Sequence, residues 1–276
     1  MGILPDRLPY SESILLLFRA IYDHPHDQGN IMSLSRIEKR VFSLIVNNCP
    51  DKSIRILELS PGKGNLATAL WEAGFKNIEA MDIYPENFAN KDIKCHKGNL
   101  SERFPFDDES YDLVISVEGI EHLEDQYRFA AEINRVLKID GSLALTTPNI
   151  GNFPSRVRFL FTSFYALCTR PSSEFVKNWV IEHIAPVTFY QLRHILHTNG
   201  IFIERITTDH IRRSGYIGIL FWPVSYLATM IALKKEREPR QQSVNMEILR
   251  QIHTLPIYLG RTQIVYCRKK DTGYQK

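Results

Sequence analysis

The most constraining feature of this sequence is a regular alternation of short β-branched runs with helical stretches between residues 53 and 147. The segments 66–73 and 125–137 space their apolar residues at the helical period. Alternation of this kind predicts an α/β fold, in which a mostly parallel sheet carries helices on both faces. Five runs have the length and composition of buried strands: 54–59, 78–83, 93–96, 113–117 and 142–147.

The remaining residues are predicted to extend this fold rather than to form an independent second domain. Residues 1–50 suggest a helical cover, and residues 51–276 the main domain. Within that domain, an insertion at 148–185 and an apolar segment at 212–235 interrupt the alternation. The elements expected outside the central block are helices 11–22, 35–47, 157–167 and 188–197, strands 201–207 and 263–268, and a solvated connector over 234–248.

A glycine-containing loop follows the first predicted strand. The strand ends near Glu58, and Gly62 and Gly64 lie in the loop before a helix begins. Glycines there let the backbone approach a ligand closely, and the helix N-terminus offers free N–H groups. Asp82 ends the second strand, 24 residues after Glu58, where a carboxylate can accept hydrogen bonds from a ribose diol. A nucleotide-type ligand is therefore indicated, although a tight turn that simply needs glycine would give the same loop.

The order of motifs narrows the interpretation. The strand with Glu58, the glycine loop and Asp82 are followed by Gly98-Asn99-Leu100, then by FPFDDESYDLVISVEGIEHL and RVLKIDGSLALTTPN. This series resembles class I S-adenosylmethionine-dependent methyltransferases, in particular the type 11, type 12 and ubiquinone-biosynthesis-like O-methyltransferase group. The resemblance covers residues 53–150 and implies a Rossmann-like, mostly parallel seven-stranded sheet.

The resemblance also implies which residues hold S-adenosylmethionine. The amino-acid end of the cofactor would be contacted by Glu58, Ser60, Gly62 and Gly64. Asp82 would bind the ribose hydroxyls. Ile83 and Leu100 would lie against the adenine, and Asn99 would reach the adenine amino group. The full implied set is Glu58, Ser60, Gly62, Gly64, Asp82, Ile83, Asn99, Leu100 and Val117.

Three positions depart from the family pattern. Ser60 stands where the family usually has glycine, and Pro61 where it often has cysteine or alanine. Asn99 replaces a commoner aspartate, and an amide oxygen can serve as the same acceptor.

Candidate catalytic residues follow the fourth strand. Methylation of a hydroxyl requires removal of its proton, by a general base or with help from a metal. Glu118, Glu121 and His122, with His183 from the insertion, resemble the ExxEH…H metal site of RNA 3′-end 2′-O-methyltransferases. One hypothesis is therefore a divalent site such as Mg²⁺. A second makes His183 a metal-free base working with Glu118, and a third gives these residues only a structural role.

Charge is divided unevenly along the chain. The formal net charge is +3, but residues 1–147 carry −7 and residues 148–276 carry +10. The basic half suggests an anionic contact, and the acceptor is expected to be a small molecule, a glycan or a lipid-linked compound. Nucleic acid is not expected, because the sequence has neither a strong basic run nor a recognisable RNA-binding module.

Residues 216–233 contain no charged side chain and are flanked by basic pairs at 212–213 and 234–235. A membrane-spanning helix needs about 20 apolar residues. A buried helix is the preferred interpretation; a helix lying on the membrane surface and a true span are the alternatives.

Two other functions are compatible with the sequence. An NAD(P)-dependent oxidoreductase could use the same glycine loop and Asp82. A catalytically silent relative could serve as a binding protein at the membrane. The four cysteines lie far apart and form no CxxC pair, so we expect a cytoplasmic protein, with the inner membrane surface as an alternative location.

Overall fold

Seven strands form one sheet in the computed structural model, which describes residues 34–166, 183 and 185–271. The strand order is β3-β2-β1-β4-β5-β7-β6. Only β7 runs antiparallel to its neighbours in the described sheet. The predicted Rossmann-like fold is confirmed. The strands are β1 (Ile56–Leu59), β2 (Ile78–Asp82), β3 (Lys94–Lys97), β4 (Tyr111–Val117), β5 (Leu137–Pro148), β6 (Ile201–Thr207) and β7 (Thr262–Lys269).

Helices cover both faces of the sheet. On one face, α1 and α2 bury Val41, Ile45 and Leu70 against the strands. On the other face, α3 and α5 bury Phe129 and Leu192. The helices are α1 (Arg36–Asn48), α2 (Asn65–Glu72), α3 (Gln126–Val136), α4 (Phe153–Thr162), α5 (Phe189–Thr198), α6 (Gly218–Leu233), α7 (Pro239–Ile252) and α8 (Leu255–Leu259).

Local signals explain where several of these helices begin. Ser35 and Glu38 form a capping box at the start of α1, and Thr188 and Gln191 form the predicted one at α5. The predicted helix 157–167 begins earlier, as α4, because Asn152 accepts a hydrogen bond from the Ser155 amide. Its predicted C-terminal residue, and the helix predicted at 11–22, lie outside the described residues.

Two predictions for the second half of the chain are wrong. The solvated connector expected over 234–248 is largely the helix α7. Glu238 caps its first turn, Pro239 occupies the first helical position, and Ile248 and Leu249 are buried. The expected burial of the apolar segment is also wrong. That segment forms α6, but most of its large side chains are exposed.

The loop between β1 and α2 needs its second glycine for packing. Gly64 has φ +78°, a left-handed conformation that disfavours residues with a Cβ atom. A Cβ atom at this position would also overlap the ring of Phe88, which is buried. Glycine is therefore needed at position 64 for the packing of the loop on Phe88 rather than for contact with a ligand.

Candidate functional site

A cavity of about 720 Å³ lies at the carboxyl ends of the parallel strands. The loops after β1, β2, β3 and β4 all contribute to it, as expected for a ligand site in an open α/β sheet. Predicted site residues that line it are Ser60, Gly62, Asp82, Ile83, Asn99, Leu100, Glu118 and His122. The structure thus brings most of the predicted cofactor residues to one cavity.

Asp82 is held in place by the backbone around it. Its Oδ2 atom accepts a hydrogen bond from the Gly62 amide at 3.2 Å, and its Oδ1 atom accepts one from the Tyr84 amide at 2.9 Å. An ionised carboxylate offers about four acceptor positions, so two remain for a ligand diol. A Cβ atom on Gly62 would meet nothing within 4 Å, which shows open space where a ligand would lie.

Two residues at the cavity have strained backbones. Ser60 has φ +51° and Glu118 has φ +50°. This left-handed region costs a residue with a Cβ atom roughly 1–2 kcal/mol. The backbone conformation of Ser60 is one that glycine adopts without strain. The Glu118 amide donates to Thr146 Oγ1 at 3.0 Å, which helps to hold its turn in place.

Asn99 and Leu100 lie after β3 in the same cavity. The Asn99 side chain accepts a hydrogen bond from the Ser101 amide at 3.0 Å and donates to Glu102 at 3.3 Å. Leu100 is buried in the core on the α3 side of the sheet while also lining the cavity. These contacts fix the loop that would lie beside a planar ligand group.

Glu58, Gly64 and Val117 do not line the cavity. Glu58 lies behind the loop, fully buried, and accepts a hydrogen bond from the Ala67 amide in the first turn of α2. Its Oε2 atom has no hydrogen-bond partner among the described residues. Burial raises the pKa of Glu58 to about 8. The carboxyl group therefore supports the helix that follows the loop.

The Glu58→Gln variant should flatten the pH dependence of stability. Folding raises the pKa of Glu58 from 4.5 to about 8. The contribution of its protonation to the free energy of unfolding is therefore complete below pH 4.5 and is lost as the pH rises to 8. Between pH 5 and pH 9, the variant should gain roughly 4 kcal/mol relative to the original chain. Urea unfolding at both pH values measures this gain. The exposed Glu86→Gln control should show no such gain. If the free energy of unfolding changed with pH in the same way for Glu58→Gln and for the original chain, the raised pKa of Glu58 would be contradicted.

Glu121, His122 and His183 form a compact group beside the cavity. One ligand atom from each lies within 4.8 Å of the others, and the two imidazole rings meet edge to face with centroids 5.0 Å apart. Two residues after His183, the Ala185 amide donates a hydrogen bond to the Glu121 carbonyl at 3.0 Å. Gln126 Nε2 also donates to the Ala185 carbonyl at 2.6 Å.

The protonation of this group follows from its burial. Burial raises the pKa of Glu121 to about 8, and its Oε2 atom accepts a hydrogen bond from Thr147 at 3.0 Å. The other oxygen, Oε1, is buried and has no hydrogen-bond partner in the described part of the chain. Burial, with a contribution from nearby His122, lowers the pKa of His183, so its imidazole is neutral at pH 7. A neutral imidazole can accept a proton or bind a metal.

Glu118 is not a member of the compact group, so the predicted four-ligand set contracts to three. Burial raises its pKa, opposed by the positive charge of Arg261 and reinforced by the negative charge of Asp209. The pKa of Glu118 therefore depends on Asp209 and Arg261, which come from the C-terminal half of the chain.

Asp209, His210 and Arg261 form a charged cluster that acts on Glu118 and that the sequence did not indicate. Asp209 lies 2.7 Å from His210 Nδ1 and 3.6 Å from Arg261 Nη1. Although burial opposes ionisation, the hydrogen bond from His210 lowers the pKa of Asp209 to about 2. No local motif marks these residues, because they become neighbours of Glu118 only through the pairing of β5 and β6 with β7.

Comparisons with known proteins agree with this geometry. Residues 57–145 match a family described as a methyltransferase domain. The chain is 26% identical over 186 residues to the demethylmenaquinone methyltransferase of Chlorobaculum parvum, which covers 66% of this chain and 73% of that protein. It is 26% identical over 193 residues to the ubiquinone biosynthesis O-methyltransferase of Rickettsia typhi, covering 67% and 71%.

A solved structure shows the same fold at low sequence identity. The S-adenosylmethionine-dependent methyltransferase from Archaeoglobus fulgidus has a TM-score of 0.51 and 16% identity, covering 92% of this chain and 99% of that one. At this identity the likeness concerns the fold alone.

Proposed function

Because the chain is a class I S-adenosylmethionine-dependent methyltransferase, we propose that it methylates a hydroxyl oxygen of a small-molecule, glycan or lipid-linked acceptor. The observation that carries the proposal is the position of Glu121, His122 and His183 beside the cavity that contains Asp82. A group able to take a proton next to a cofactor cavity suits an acceptor that must be deprotonated. Similarity to the two quinone-related methyltransferases supports a phenolic acceptor of the quinol type.

The cavity residues fit the cofactor. Asp82 would accept hydrogen bonds from the ribose hydroxyls, and Ile83 and Leu100 would contact the adenine. Ser60 and Gly62 would approach the amino-acid end, where the open space at Gly62 leaves room. When bound, S-adenosylmethionine supplies an electrophilic methyl group on a sulfonium.

The protein contributes orientation and proton transfer. Holding the acceptor oxygen in line with the methyl carbon replaces a bimolecular encounter with a positioned one. With the cofactor supplying the methyl group, a ring nitrogen of His183 would accept the proton that the acceptor hydroxyl loses. Glu118, at the strained turn after β4, lies on the cavity wall where it can orient the acceptor.

The same three residues would also hold a divalent cation. One carboxylate and two imidazoles suit Mn²⁺, Fe²⁺ or Zn²⁺ better than Mg²⁺, which prefers oxygen ligands and keeps several waters. The buried Glu121 Oε1 atom, without a hydrogen-bond partner among the described residues, is an available ligand. Such an ion would act as a Lewis acid that favours the alkoxide or phenolate form of the acceptor.

Transfer of a labelled methyl group tests the proposal. Purified protein, labelled S-adenosylmethionine and panels of quinol, glycan and lipid-linked acceptors are expected to give a labelled methyl ether with at least one quinol-type compound. Activity lost with a chelator and restored by one divalent ion would select the metal route over the metal-free base. Label on carbon or nitrogen would contradict O-methylation. No transfer at all, with the cofactor product still bound, would indicate the silent relative.

A further inference from the structure

Helix α6 exposes an unusually apolar surface. The segment Gly215–Leu233 has a mean hydropathy of 1.7, and 6% of it is buried. Leu220 is 77% exposed and Val224 is 68% exposed. Exposed apolar surface of this extent usually marks an interaction site. Among the described residues, this is the one helix long and apolar enough to cross a membrane.

The opposite side of α6 is attached to the domain. Trp222 Nε1 donates to the His253 carbonyl at 3.0 Å, and Ser225 lies 3.4 Å from His253 Nε2. Gly218 is buried, and a Cβ atom there would lie 2.8 Å from Phe153. Residues 218, 222 and 225 share one side of a helix. The helix therefore lies along the domain surface, with its other side exposed.

Helix α4 extends this apolar surface. Phe153 stacks on Phe221 of α6 with ring centroids 5.2 Å apart, and Arg156 Nη1 donates to Ser225 Oγ at 3.0 Å. In α4, Leu160 is 76% exposed and Phe161 is 80% exposed. We call nine of the exposed apolar side chains of the two helices the α4/α6 surface: Val157, Phe159, Leu160, Phe161, Leu220, Phe221, Val224, Leu227 and Ile231.

Positive charge lies at both ends of α6. Arg213 precedes the helix, Lys234 and Lys235 follow it, and all three are exposed. No aspartate or glutamate occurs between residues 210 and 235. Basic residues beside an inserted apolar face are attracted to anionic lipid headgroups, each by about 1 kcal/mol near the surface. Two antiparallel copies of α6 would instead bring basic ends together, which disfavours a second copy as the occupant.

The surface and the cavity share one edge of the sheet. Helix α4 begins shortly after Pro148, the last residue of β5, and the turns that lead into α6 follow the end of β6. Both strands run parallel to β4, so these ends lie at the edge that carries the cavity. A compound held in a bilayer beneath the α4/α6 surface would lie at the same edge of the sheet as the cavity.

We propose that the α4/α6 surface docks on an anionic lipid bilayer, with α6 lying in the headgroup region rather than crossing the membrane. The domain contacts of Trp222 and Gly218 remain intact in this arrangement. Docking does not depend on the proposed O-methylation. If the chain also catalyses the proposed O-methylation, docking would favour acceptors that are carried by lipid.

Sedimentation with lipid vesicles tests the proposal. The full chain should pellet with vesicles of phosphatidylglycerol and phosphatidylcholine, and at least tenfold less with phosphatidylcholine alone or in 0.5 M salt. The double variant Leu220→Ser/Val224→Ser should bind the anionic vesicles roughly 10- to 100-fold more weakly, because it removes the inserted side chains. The matched control Ile139→Ser, at an exposed apolar position near the opposite end of β5, should bind normally.

Unchanged binding of S-adenosylhomocysteine by the double variant shows that its fold and cavity are intact. Failure of the original chain to pellet, or equal pelleting of the double variant, would overturn the proposal. So would a lipid-free dimer that the double variant dissociates, because a second copy would then cover the surface. Methyl transfer is measured separately, so failure of docking and failure of the proposed reaction remain distinguishable.

Discussion

The Asp82→Ala variant is expected to bind S-adenosylhomocysteine at least 100-fold more weakly than the original chain. A carboxylate that accepts two hydrogen bonds from a ribose diol contributes roughly 1.5–3 kcal/mol for each bond. The substitution also removes the acceptor for the Gly62 and Tyr84 amides, so the loop that faces the ligand loses its support. Isothermal titration calorimetry measures the loss.

Two controls separate lost binding from lost folding. Asp82→Asn keeps the size of the side chain and an acceptor oxygen, so it should be intermediate in affinity. Asp92→Asn, at an exposed aspartate outside the cavity, should bind normally. The account is contradicted if Asp82→Ala keeps full affinity while its circular dichroism and melting temperature are unchanged.

The second large effect is expected at His183. Replacing it with alanine should lower kcat by roughly 10²- to 10⁴-fold, the usual contribution of a general acid or base. The affinity for S-adenosylhomocysteine should stay within about twofold, because His183 is not among the residues that line the cofactor cavity. A loss of kcat with unchanged cofactor binding identifies a residue that acts on the acceptor.

Further measurements distinguish the two roles of His183. Partial recovery of turnover by added imidazole would support direct proton acceptance, whereas loss of a bound divalent ion would support a ligand role. The exposed His194→Ala variant is the matched control and should retain activity. Turnover of His183→Ala at the original rate, with the true acceptor, would exclude both roles.

Much of the fold was predictable because buried parallel strands leave a strong local pattern. The runs at 54–59 and 113–117 contain the β-branched and apolar residues that two-sided burial requires, and they became β1 and β4. The family resemblance implied seven strands, mostly parallel, but the strand order and the antiparallel β7 are findings of the structure, since periodicity alone carries no information on strand order.

The exposure of α6 could not be predicted from its composition. An apolar run indicates that the segment avoids water, but its partner is set by tertiary structure. The side that carries Gly218, Trp222 and Ser225 packs on the described domain, while most of the large apolar side chains of α6 stay exposed. For α7, the polar residues that face solvent concealed a short buried stripe, so a helix was mistaken for a connector.

The site shows the same division. Asp82 ends β2, and Gly62 lies in the loop after β1. Because the carboxyl ends of parallel strands lie at one edge of a sheet, the proximity of these two residues was predictable. Glu58 and Gly64 belong to the same motif, but Glu58 supports α2 and Gly64 accommodates Phe88. Glu118 lines the cavity but does not belong to the group formed by Glu121, His122 and His183, which spacing in the sequence could not reveal.

Calorimetric titration of the unmodified chain tests the central claim most directly. The cavity with Asp82 and Gly62 predicts that S-adenosylhomocysteine binds with a stoichiometry of one and that NADH does not bind. Absence of heat with S-adenosylhomocysteine, together with saturable binding of NADH, would contradict the account.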